Sequence, residues 1–224
     1  MVPRLLLPFS VLLAASALSD AARAGFTNPY VPPFRGNPGT EFGSWEAFTV
    51  PYAGTNLPDD AGSTTVDATL EQLVSGAFLT GSGNIYHPSA APAFRLVDGG
   101  PGDLQEVALQ ISTWGSELDY ASPVLTYVDG QGQSHSIPFT SYTELARYPA
   151  VGVNVESLFT WNLAALADAV TAYTITFQGA VPNLSLDAVI VDTRYGSSDG
   201  TFIPYCDPGA AGVIACPCGN PLGP

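Results

Sequence analysis

Between Glu106 and Ser112 the chain alternates: Val107, Leu109 and Ile111 fall on one side of an extended backbone, and Glu106, Ala108, Gln110 and Ser112 on the other. Successive side chains of a strand point to opposite faces, so the alternation predicts a half-buried β-strand over 105–112. Tyr173, Ile175 and Phe177 against Thr174, Thr176 and Gln178 predict another. Leu184 to Thr193 is apolar on both faces in its middle, with Leu186 and Ile190 on one and Val189 and Val191 on the other. That pattern belongs to a strand inside a sheet covered on both sides. Shorter strand-like runs are Glu41 to Val50, which stops at Pro51, Thr64 to Val74, and Gly76 to Thr80. Pro123 to Val128 and Ser134 to Phe139 flank Asp129-Gly130-Gln131-Gly132, whose glycines permit positive φ, and this predicts a β-hairpin. Leu163 to Val170, with Asn162 as its cap, is the one helical candidate.

The punctuation between these runs is dense: 23 Gly and 20 Pro in 224 residues imply many turns. With about ten short strands and little helix, the expected fold is all-β, an antiparallel β-sandwich of jelly-roll type. Gly25 to Gly39 holds Pro29, Pro32, Pro33 and Pro38 and reads as an extended lead-in over residues 25–40. The sandwich is expected over 41–200, a length suited to one domain with one core.

Ahead of the lead-in, Arg4 precedes an apolar and small-residue run from Leu5 to Leu18, and Ala22-Arg23-Ala24 follows. This predicts a secretory signal peptide over 1–24, cleaved before Gly25, with an apolar run too short to span a bilayer. Export to the cell surface or the extracellular space follows from that reading. The remaining chain has no Lys and four arginines (Arg35, Arg95, Arg147 and Arg194) against nineteen acids, a net charge of −15. Such a surface repels nucleic acid and anionic lipid, which require clustered cations. It suits solubility outside the cell, and acids of this kind can also attract Ca²⁺.

Three stretches resemble the β-sandwich ectodomains of secreted bacterial proteins of the PEP-CTERM-associated type: GAFLTGSGNIY over 76–86, VALQISTWGSELDY over 107–120, and FTWN over 159–162 followed by YTITF and SLDAVIVDT. The resemblance spans roughly residues 40–195 and implies a surface β-sandwich. The Pro-Glu-Pro motif, apolar helix and basic tail of sorted members do not occur in this sequence. Residues 201–224 instead hold all three cysteines and resemble a short form of the cysteine-rich tails of other secreted β-proteins. In an oxidising setting Cys206 is expected to pair with Cys216 or Cys218, leaving one thiol for an intermolecular bond. Cys216 and Cys218 are too close to pair without strain.

Catalytic constellations are few. There is no GxSxG, GxGxxG or Walker loop, and His87 and His135 belong to no metal-spaced pair, so both read as surface residues. Glu117 and Asp119 would share one face of an extended segment at a separation that glycoside hydrolysis allows. Trp114, beside Gly115 at a strand end, and Tyr120 offer rings that stack on sugars. Trp161, between Phe159 and Leu163, reads as core. Asp187 and Asp192 bracket the last apolar run and are the candidates for Ca²⁺, for a sugar hydroxyl, or for capping the sheet rim. Three functions stay open: a non-enzymatic surface or matrix protein, a carbohydrate-binding module using Trp114, Tyr120 and an acid such as Asp119, and a glycan-cleaving enzyme using Glu117 and Asp119. An extracellular glycan or a protein partner fits the first two.

Overall fold

A computed structural model describes residues 25–61, 68–100 and 102–196. The predicted leader over 1–24 and the tail with Cys206, Cys216 and Cys218 lie outside them. The described residues form fourteen strands and no helix. In chain order they are β1 (Thr40–Trp45), β2 (Thr55–Asn56), β3 (Asp60–Ala61), β4 (Thr69–Gln72), β5 (Phe78–Leu79), β6 (Ile85–His87), β7 (Ala93–Gly99), β8 (Asp103–Gly115), β9 (Val124–Val128), β10 (Ser134–Pro138), β11 (Ser141–Ala150), β12 (Gly152–Asn162), β13 (Ala172–Gln178) and β14 (Leu184–Gly196). None of the described helices or strands is an apolar helix long enough to cross a membrane.

The strands make two antiparallel sheets. One runs β11-β12-β8-β14-β1-β3, with β6 on the start of β14 and β5 on β6; the other runs β10-β9-β13-β7-β4-β2. Their inner faces share one core. Val107, Leu109 and Ile111 of β8 and Phe159 and Trp161 of β12 join Phe94 and Leu96 of β7, Leu125 of β9 and Ile175 and Phe177 of β13. Phe94 and Phe177 are cross-strand partners whose rings stack 5.1 Å apart. The expected sandwich is therefore present, with more strands than the turn signals alone suggest, from two residues in β2, β3 and β5 to thirteen in β8 and β14. Residues 129–132 close the predicted hairpin between β9 and β10, and the Asp129 carboxylate accepts the backbone N–H of Gln131 and Gln133.

Three expectations need correction. Leu163–Val170 is a turn: Asn162 does accept the N–H of Ala164, but the N–H groups of Leu163 and Val170 are taken by the Gln105 carbonyl and the Asp103 carboxylate of β8, and so short a segment gains little from helical pairing. His87 is buried, with Nε2 on the carbonyl of Ser75 and Nδ1 accepting the N–H of Ala90. The faces of β14 are also divided differently. Its register with β8 slips between Leu186 and Ala188, a β-bulge that sets Asp187 and Ala188 against Ser112. Past the bulge the parity inverts, so Leu186 shares the core with Val189 and Val191, while Ile190 turns outward beside Gln110.

The bulge has a second effect. Asp187 and Asp192, odd and even in sequence, come to the same outer face of the large sheet as Gln110, Ser112 and Glu156. Those side chains are buried, because the lead-in lies across them as a strap. From its start, the N–H of Gly25 donates to Asp187 Oδ2, that of Thr27 to Glu156 Oε1, and Tyr30 exchanges two hydrogen bonds with the Gln110 amide. Arg35 then grips both oxygens of Asp192 and lies over the Phe42 ring.

Candidate functional site

At one end of the strapped face, where β8, β14, β5 and β6 meet the β11–β12 turn, lies a cleft of about 960 Å³. The large sheet builds it by register. Trp114 of β8 faces the same side as Ser112, Tyr86 of β6 lies opposite Ser185 of β14, and Phe78 of β5 opposite Tyr86. The Phe78 and Tyr86 rings meet edge to face, with centroids 5.3 Å apart. Tyr86 donates its hydroxyl to Asn183 Oδ1 at 2.8 Å, so its ring is held from both ends. Trp114 is half-buried, and its indole Nε1 is shielded without an acceptor among the described residues. Val151, at the β11–β12 turn, and Val181 add exposed apolar surface.

Close backbone packing shapes the floor. Gly115 and Gly152 both have positive φ, and a Cβ on Gly152 would stand 2.2 Å from the Gly115 carbonyl oxygen. A Cβ on Gly115 would stand 2.3 Å from the carbonyl oxygen of Asn183, itself a left-handed residue at φ 67°. Only glycine fits such approaches. The polar edge is Ser82, Asn84, Asn183, Ser185 and Asp187. Asp187 is buried, with Oδ1 accepting from Asn84 and Oδ2 from Ser112 Oγ and the Gly25 N–H. Aromatic rings interleaved with hydroxyl and amide groups make a surface able to stack on and hydrogen-bond a small polar ligand.

The structure separates the four residues that the sequence grouped. Trp114 lines the cleft, but Glu117, Asp119 and Tyr120 do not. Glu117 accepts two hydrogen bonds from Arg147, each 2.9 Å, and one from the Tyr120 hydroxyl at 2.6 Å. Those donors, Arg147 foremost, hold its carboxyl down at about 2, against 4.5 for a free Glu. Three donors on one carboxyl favour its ionised form. Tyr120 stacks at a tilt on Tyr142, and burial followed by the bond to Glu117 raises its pKa. Asp119 accepts from the Ala121 N–H and from Gln178 Nε2, which fixes the loop between β8 and β9.

The calcium candidates also have other partners. Asp192 is fully buried under Arg35, and desolvation raises its pKa against the pull of the guanidinium. Among the described residues, the side chains spaced to hold a metal ion are Asp129, His135 and Asp168, whose ligand atoms lie within 4.8 Å of one another. His135 Nε2 is 2.8 Å from Asp129 Oδ2, a contact that is the first cause of the lowered Asp129 pKa. Local pattern does not mark this trio, because Asp168 comes from the turn after β12, far along the chain from the β9–β10 hairpin. Phe78, Tyr86 and Asn183, the other principal members of the cleft, were likewise missed as site residues. For Phe78 and Tyr86 the one signal is the turn-rich, aromatic stretch 76–86.

No family model matches the chain, and no curated protein matches it. Among solved structures it is similar to the enzymatically active domain of tailspike protein 4 of bacteriophage CBA120, at 13% identity and a TM-score of 0.27, over 71% of this chain and 19% of that one.

Proposed function

We propose that this is an exported, non-catalytic β-sandwich of the cell surface or matrix, and that the Trp114 cleft binds an extracellular carbohydrate. The observation that carries the reading is the cleft: Trp114 and Tyr86 flank Ser185 across the sheet, Phe78 lies beyond Tyr86, and amide and hydroxyl groups complete the lining. Sugars present apolar ring faces and a rim of hydroxyls, and this combination answers both. The acid-rich surface, with few cations, is consistent with a neutral glycan as ligand. The test is a glycan array probed with the exported chain and with a Trp114→Ala variant. Binding to a restricted set of glycans that falls at least about tenfold in the variant, worth roughly 1.4 kcal/mol, supports the reading. Binding to none, or binding unchanged in the variant, overturns it.

A further inference from the structure

We infer that the buried Asp187 carboxylate is a binding site for the α-ammonium group of Gly25, so that removal of residues 1–24 completes the fold. The inference rests on the export reading. Two carboxylates converge on Gly25: its N–H donates to Asp187 Oδ2 at 3.2 Å, and a Cβ built on it would stand 3.4 Å from Glu46 Oε1. Among the described residues no side-chain cation is left to balance them. The chain has no Lys, and Arg35, Arg95, Arg147 and Arg194 are engaged by Asp192, Glu71, the Glu117–Glu144 pair and Glu106. A backbone amide supplies one N–H and no charge. Hydrolysis of the Ala24–Gly25 bond by a signal peptidase consumes one water, leaves a carboxylate on Ala24 and frees an amine on Gly25. That amine protonates to an ammonium with three donors.

The two charged partners are then joined at low solvent exposure, where charge-assisted bonds are strong. Gly25 suits the position, since Glu46 stands where a side chain would begin. The ammonium would anchor the strap where it begins, beside Asn84 and Asp187 at the edge of the cleft.

The absence of Lys makes the test clean, because the processed chain contains a single primary amine. The full chain is expressed in a host that exports it, and the first residue of the product is read by mass spectrometry. The amine is then acetylated with an N-hydroxysuccinimide ester, in native buffer and in denaturant. A docked ammonium holds its proton, so a product beginning at Gly25 should react at least about tenfold more slowly when native. Refolded after acetylation, it should melt about 2–4 °C lower or more. In Asp187→Asn the amine should react freely, and acetylation should no longer shift the melting temperature. A product beginning at Gly25 whose amine reacts equally in both buffers, with melting unchanged, overturns the docking site and leaves export standing. A product that retains residues 1–24 overturns both.

Discussion

A methyl group at Gly152 is enough to disturb the floor of the cleft. The added Cβ would overlap the Gly115 carbonyl oxygen, and the φ of +84° disfavours any side chain, so Gly152→Ala is expected to lower stability by more than about 1 kcal/mol in urea unfolding. Glu117 makes a prediction of a different kind. Its folded pKa lies below its unfolded value, so its contribution is present above about 4.5 and is lost as pH falls toward about 2. The gain is modest, because both Glu117 and Arg147 are more than a third exposed and water screens the pair. Melting curves of the wild type and Glu117→Gln should differ at pH 6 and converge near pH 2. A gap that stays constant across that range would remove Glu117 from the account. At this scale the sequence revealed types of residue better than their partners. Trp161 as core and Trp114 as a partly exposed strand-end ring could be read from their neighbours, whereas the capture of Glu117 by Arg147 depends on a contact thirty residues away.

Among the elements, bulges are what sequence periodicity could not reveal. One inserted residue at Asp187 inverts the parity of β14, and no local pattern marks where alternation restarts. A second register shift, between Glu144 and Ala146, brings Glu144 and Arg147 to one side of β11, although an unbroken strand would point them to opposite faces. That edge strand is mostly exposed and carries no clean alternation, so β11 left little trace in the sequence. Strands with one face on the core were legible for the opposite reason, as β13 shows. The strap is the element with most at stake. Arg35→Ala would leave Asp192 buried without its cation, and removal of one partner of such a pair is expected to cost about 3 kcal/mol or more. Denaturant unfolding measures that loss. Arg95→Ala, at an exposed pair with Glu71, should cost far less.

Seen whole, the molecule has two unlike outer faces. On the smaller sheet Arg95, Val97 and Thr176 face solvent, so the alternation read in the sequence corresponds to an inside and an outside. On the larger sheet the outside is itself buried, and β8 is covered on both faces although its pattern predicts only one. Gln110 and Ser112 are polar and nonetheless buried: Tyr30 of the strap, 80 residues away, bonds the Gln110 amide, and Asp187 of β14, 75 residues away, accepts from Ser112, partners that local periodicity cannot reveal. The proline-rich lead-in was visible as extended chain, and the face on which it lies was not. Strap and cleft share that face, and Asp187 belongs to both.

The cleft can be tested with the protein's own fluorescence, since Trp45 and Trp161 are fully buried and Trp114 alone of the three lines it. Titration of the exported chain with a glycan retained on the array should give a saturable change in tryptophan emission, and Trp114→Phe should abolish the change. A glycan that binds while emission stays flat, or an emission change that survives Trp114→Phe, would contradict the assignment of this cleft.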